Sequence, residues 1–140
     1  MPYTPEHRAQ TKKRVTEAAR NLFNIHGFDG VSIDQIMSEA GLSRGGFYHH
    51  FKNKEALFAA TVDSFCAAFS EEIANETELS GPTLIQAFMD GYISDAHFEK
   101  KGDQCPMIAV PSDVSRSGPA VKKAYQNVFE TMLSLFEDNS

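Results

Sequence analysis

Three observations on this 140-residue chain predict an all-α fold. Apolar residues recur at helical spacing, as at Val15, Ala18, Ala19, Leu22 and Phe23, which mark out one face of a helix. Cap-then-proline signals at Thr4 and Pro5, Gly81 and Pro82, and Gly118 and Pro119 open new helices at intervals. No two-residue alternation and no internal repeat is present, so neither a sheet nor a solenoid is expected.

The first helix starts at Pro5 and runs as an amphipathic stripe to a stop before Gly27, with Arg8, Lys12, Lys13 and Arg14 on its early polar face. Ser32 and Gln35 have the spacing of a capping box, in which hydroxyl and amide satisfy free N–H groups at a helix start. The second helix therefore begins near Ile33. It ends near Ala40, because Gly41 can take the left-handed conformation that terminates a helix without strain. Leu42 points inward and Ser43 is placed to cap a third helix. Helix, a turn of about three residues and helix is the spacing of a DNA-reading helix-turn-helix.

On the third helix Phe47 and Phe51 lie four apart and can bury together, leaving Arg44, Gly45, Gly46, Tyr48, His49 and His50 on or near the other side. Arg44 suits a guanine edge or a phosphate. Two adjacent glycines cost about 1 kcal/mol each against alanine in a helix, and close approach of an external backbone is one reason to keep them. The alternative is that they open a loose turn. Asn53 caps a fourth helix from Lys54, where a cation and free amides would face one phosphate.

The run GLSRGGFYHHFKNKEALF resembles the signature of the TetR family of one-component transcriptional regulators, and TKKRVTEAARNLFNIHGFDGVSIDQIMSEAG upstream resembles that family's first two helices. The resemblance is strong over residues 11–65. It implies phosphate contacts from Ser32, Tyr48, His50 and Lys54 and base-facing positions at Arg44, Gly45, Gly46 and His49, with Ser43 opening the reading helix. Gly46 departs from the threonine or alanine frequent there, offering only backbone and room.

Charge is divided along the chain. Residues 1–55 hold eight Lys or Arg against six Asp or Glu, net +2; residues 56–140 hold five against thirteen, net −8, giving the overall −6. A mildly basic head on an acidic body is the expectation, with domains at 1–55 and 56–140. In the body, the fourth helix continues through Leu57, Phe58, Phe65 and Phe69. A fifth starts at Pro82, capped by Ser80 or Gly81, and carries Leu84, Ile85, Phe88, Met89 and Tyr92. Pro106 and Pro111 break the next stretch, and a last helix carries Val121, Tyr125, Val128, Phe129, Met132, Leu133 and Phe136. About seven helices are expected.

The resemblance further implies a small-molecule pocket in the body. Phe65, Phe69, Phe88, Tyr92, His97, Cys105 and Met107 are the candidate lining, since Met and Phe make adaptable apolar walls. It also implies a ligand-responsive repressor that binds a palindromic operator in double-stranded DNA as a homodimer, with ligand tilting the fourth helix. The family's two further dimerisation helices are expected to be missing, so a regulatory domain cut short at its C-terminal end is anticipated, and a homodimer then needs another interface, for which the exposed stripe of the last helix, Val121 to Phe136, is the candidate dimer face. Other readings are a protein-interacting helical fragment, or an oxidant or electrophile sensor using Cys105 near Lys100 and Lys101. Cys66 and Cys105 are too few for a metal site or a disulfide framework, and no signal peptide is evident, so a cytoplasmic location is expected. No catalytic group, cofactor, metal or membrane partner is expected.

Overall fold

The computed structural model describes residues 4–75, 80–92 and 110–139, and within them no strand occurs. Six α-helices and one 3-10 helix make up the described chain: α1 (Pro5–His26), α2 (Ile33–Glu39), the 3-10 helix Arg44–His49, α3 (Lys54–Asn75), α4 (Gly81–Tyr92), α5 (Pro111–Ser115) and α6 (Pro119–Asn139).

Each start in the head has a local cause. Thr4 Oγ1 accepts from the His7 N–H at 3.1 Å, with Pro5 in the first turn of α1. At α2 the capping box closes in both directions: Ser32 Oγ accepts from Gln35 N at 3.1 Å, and Gln35 Oε1 accepts from Ser32 N at 2.7 Å. Asn53 Oδ1 accepts from Ala56 N at 2.7 Å at the start of α3. The stops follow glycine. Gly27 (φ 80°) ends α1, donating to the Phe23 carbonyl at 2.8 Å, and Gly41 (φ 75°) reverses the chain after α2 while Leu42 N donates to the Met37 carbonyl at 2.8 Å.

The third helix departs from expectation. It is a 3-10 helix, and Ser43 contributes no side-chain cap; its carbonyl instead accepts from Gly46 N at 3.2 Å. Two glycines among six residues weaken α-helical propagation, so the segment tightens into three-residue turns that close on backbone alone.

One apolar cluster runs from Val15 in α1 through Leu57, Phe58 and Val62 in α3 to Val121, Val128 and Leu135 in α6. Helix α3 is shared, packing against α1 at one end and along α6 over much of its length. In the head, Phe23, Phe28 and Phe58 meet ring to ring at 5.0 to 5.4 Å. The stripe of α6, weighed above as an exposed dimer face, is largely turned inward: Val121, Ala124, Val128, Met132 and Leu135 are buried, and Phe129 and Leu133 lie outside. Polar bonds also tie body to head. The Glu55 carboxylate, at the start of α3, accepts from the Gly118 N–H just before α6, and Arg116 lies 2.9 Å from Asp113 and 3.8 Å from Asp29.

Because Gly41 holds a left-handed conformation, Gly41→Ala is expected to lower stability by about 1–2 kcal/mol, read as a reduced urea midpoint with an unchanged denaturant slope. A neutral effect would mean the α2 stop does not depend on that conformation.

Candidate nucleic-acid interface

The 3-10 helix has two sides. Phe47 and Phe51 are buried and stacked, ring centres 5.9 Å apart, and this anchors the segment to the head. The other side is polar. Tyr48 is 64% exposed, its ring edge-on to Phe47 at 5.0 Å, so burial of the one aromatic fixes the direction of the other. Arg44 and His49 are exposed, and Ser32, at the start of α2, is exposed as well. The Ser32 hydroxyl oxygen already accepts from Gln35, leaving its proton for an outside acceptor. Arg44 Nε lies 3.1 Å from Asp34 Oδ1, a pairing across the turn that the sequence reading did not foresee, since nothing local marks two residues ten apart as neighbours.

Glycine is not required by the fold at either of two positions. Neither Gly45 nor Gly46 has positive φ. A Cβ at Gly45 would meet nothing within 4 Å, and one at Gly46 would make an ordinary contact of 3.7 Å with Met37 Cε. No steric demand from inside the protein accounts for the pair.

The basic residues of α1 are exposed and also make contacts within the head. Arg8 donates to the His49 carbonyl at 3.0 Å, Lys12 stands 5.2 Å from the centre of the Phe51 ring, and Lys13 is 3.9 Å from Glu17. Arg14 donates to the Ala40 carbonyl at 2.5 Å, satisfying the C-terminal end of α2. Lys54 is turned inward: its ammonium donates to the Phe28 carbonyl at 2.5 Å and sits 4.3 Å from the Phe28 ring centre. Burial pushes its pKa below the ordinary lysine value, partly offset by Asp29. Lys54 is thus a strut between α3 and the loop after α1 in this conformation, and it is not grouped with Arg44 and Tyr48.

Between the start of α1 and the 3-10 helix lies an open groove of about 570 Å³. His7, Arg8 and Arg14 line it from α1, Ser43, Gly45, Gly46, His49 and His50 from the opposite side, and no carboxylate lies among its walls. His50 Nδ1 is enclosed and has no hydrogen-bond partner. Burial first, then the charges of Arg8, His49 and Lys12, hold His50 below the ordinary histidine value of 6.5.

In the body the candidate lining residues divide. Phe65, Phe69 and Phe88 are in ring contact, Phe65 stacked on Phe69 at 6.3 Å and Phe69 edge-on to Phe88 at 5.3 Å, and Phe88 in turn meets Phe136 at 5.8 Å. They pack on one another as a ladder joining α3, α4 and α6. His97, Cys105 and Met107, and the Tyr92 side chain, lie outside the described residues. Cys66 is half-buried, its Sγ 3.4 Å from Thr131 Oγ1. Among the described residues no cluster of three or more His, Cys, Asp or Glu could hold a metal ion, and no helix is long and apolar enough to cross a membrane.

Comparison with known proteins converges on the same segment. Residues 15–61 match the family described as bacterial regulatory proteins, tetR family. The transposon Tn10 TetC protein of Escherichia coli is 33% identical over 89 residues, covering 63% of this chain and 45% of that protein. The HTH-type transcriptional repressor AcnR of Corynebacterium diphtheriae is 35% identical over 63 residues, covering 45% and 33%. The chain thus spans less than half the length of these two relatives. Its fold is that of a TetR-family regulator from Agrobacterium tumefaciens (TM-score 0.78, 18% identity, 91% of this chain and 67% of that one). It is also that of Bacillus subtilis FadR solved with stearoyl-CoA (TM-score 0.68, 14% identity, 88% and 65%). Motif, helix-turn-helix geometry and family match coincide on one stretch of chain, so that residues 15–61 are similar to the tetR family of bacterial regulatory proteins.

Proposed function

We propose that the chain reads operator DNA with the polar side of its 3-10 helix, as the subunit of a repressor that a small molecule releases. The observation carrying this reading is that Gly45 and Gly46 sit beside exposed Arg44, Tyr48 and His49 although the fold has no need of glycine there. A surface that omits side chains at a cost to its own helix suits the close approach of another backbone. Arg44 supplies base readout, since a guanidinium fits the O6 and N7 acceptors of guanine, and leaving Asp34 for a base edge keeps it charge-paired until contact. Tyr48 and Ser32 supply phosphate contacts that set register. Lys54, held by the Phe28 carbonyl, positions α3 rather than touching DNA in this conformation.

A regulator of this kind works as a homodimer on a palindromic site, because one small head contacts only one half-site and its net charge of +2 gives weak affinity alone. The repressor role draws on the name of the AcnR relatives, and release by a small molecule on the likeness to a fold solved with an acyl-CoA bound. The effector would act through the body helices around Phe65, Phe69 and Phe88.

Equilibrium binding to a palindromic duplex library at two salt concentrations, with sedimentation in the same buffers, tests this directly. Enrichment of a palindrome by a dimer is the expected result; unselective binding by a monomer would overturn it. Arg44→Ala is expected to cost about 1–3 kcal/mol at one base position and to relax preference there, whereas Tyr48→Phe weakens all sequences alike and leaves the salt slope unchanged, since a neutral hydroxyl displaces no counterion. Unchanged operator preference in the Arg44 variant would remove it from the reading surface.

Gly45→Ala separates folding from binding. It is expected to raise the thermal midpoint, by about 0.4–1 kcal/mol of added stability, while weakening the selected duplex at least tenfold. A variant both more stable and fully competent to bind would show that nothing approaches that face.

A further inference from the structure

Packing on α3 accounts for most of α6, but one strip of it is left over. Phe129 and Leu133, four apart and so neighbours on the helix surface, are 46% and 43% exposed, although Val128 and Met132 beside them are buried. The strip extends both ways. Lys122, Gln126, Phe129, Leu133 and Phe136 follow one another at alternating steps of four and three, the spacing of a seam between two helices packed side by side. Phe136, at the far end, meets Phe88 of α4, while the two apolar residues at the centre stay open to solvent.

The charges of α6 run against its own dipole. Lys122 and Lys123 stand near its start, where free N–H groups are positive, and Glu137 and Asp138 stand at its end, where free carbonyls are negative; all four side chains are exposed. The first turn holds no acid and the last turn no base. In a solitary helix the opposite arrangement is the stable one. Two copies of α6 laid antiparallel turn each misplaced charge into a matched one, because the lysines of one copy come beside the acidic end of the other. Parallel copies would set like charge on like at both ends. A twofold axis at the level of Thr131 sets Phe129 of each copy against Leu133 of the other, and it brings each lysine pair within about one helical turn of the opposite Glu137 and Asp138. Glu130, the carboxylate nearest that axis, is occupied on its own helix by Gln126 Nε2 at 2.9 Å.

We propose that this face is where two copies of the chain associate, α6 against α6 in antiparallel register about that axis. The inference rests on the homodimer reading above and gives that dimer a location, with Phe129 and Leu133 as its apolar centre and the opposite charges at the two ends as its register. One helix face is small beside a standard interface of about 1,600 Å², so the association is weak and depends on concentration.

Sedimentation of the full chain without duplex, from about 5 to about 500 µM and at two salt concentrations, tests this. The expected result is a monomer–dimer equilibrium that weakens as salt is added. Phe129→Gln combined with Leu133→Gln should weaken association at least tenfold with helicity unchanged, whereas Ile25→Gln, at an equally exposed apolar position on the head, should leave it as in the wild type. Lys122→Glu combined with Lys123→Glu should also lose association, yet raise the thermal midpoint of the monomer, since acids suit the start of a helix; a misfolded variant would show the reverse. Glu137→Lys combined with Asp138→Lys should fail to pair alone. Mixed in equal amounts, the two charge variants should pair within about threefold of the wild type, because every contact between ends is again opposite in sign. Association that strengthens with salt, or charge variants that pair alone as the wild type does, overturns the proposal. A dimer indifferent to the change at Phe129 and Leu133 overturns it too, and leaves the homodimer reading in place on another surface. A chain that stays monomeric over the whole range overturns it as well. In that case assembly of two copies on a palindromic duplex would keep the operator reading, and its absence would remove both.

Discussion

Everything on the polar side of this head depends on the burial of two rings. The 3-10 helix is six residues long, two of them glycine, and it has no side-chain cap. Its propensity penalty is about 2 kcal/mol for the glycine pair. Phe47 and Phe51, at 0% and 6% exposure, return roughly 3–6 kcal/mol between them. Burial wins, and it wins at fixed geometry: with Phe47 seated, Tyr48 has to leave the protein edge-on and Arg44 has to sit at the turn where Asp34 meets it. The segment is presented to the outside by what it hides. Neither its local sequence nor its hydrogen bonds would hold it in that shape.

The cations of α1 and α3 serve the same end. Arg14 reaches the last carbonyls of α2, Arg8 the carbonyl of His49, and Lys54 the carbonyl of Phe28. Each closes a contact between elements that are far apart in sequence. A helix end buried without partners would cost free energy for every unmet carbonyl, and a charged donor meets that need more strongly than a neutral one. The head is therefore stiffened by charged side chains that keep their charge while they donate to neutral carbonyls.

Local signals were legible in the sequence because their causes are local. The capping box at Ser32 and Gln35, the left-handed glycine at 41 and the Asn53 cap act within four residues, and each stands where the spacing put it. The helical class follows from periodicity in the same way, and the motif GLSRGGFYHHFKNKEAL marks the candidate interface segment. Long-range choices were not legible. That Lys54 turns inward depends on where the Phe28 carbonyl lies, that Arg44 finds Asp34 depends on the angle of the turn, and that Ser43 does not cap depends on a helix type selected by glycine and packing together. Phe65, Phe69 and Phe88 read equally well as pocket walls or as core; their ring contacts place them on each other, which spacing could not tell.

The junction of head and body rests on one carboxylate more than on the ion pairs around it. Arg116 spans Asp113 and Asp29, but it is 60% exposed, and a pair with Asp29 at 80% exposure is screened to well under about 1 kcal/mol. Glu55 is only half-exposed and accepts from the Gly118 N–H, and a side chain on that glycine would displace the carboxylate. It also stands in the first turn of α3, so one negative charge faces the positive ends of two helices, α3 and α6. Sliding α6 along α3 would separate the carboxylate from one of those ends without supplying another donor. Movement of the body against the head is therefore resisted first at Glu55, one residue from Lys54, whose ammonium holds the loop after α1. Two adjacent side chains at the start of α3, Lys54 and Glu55, thus join the loop after α1 to the start of α6.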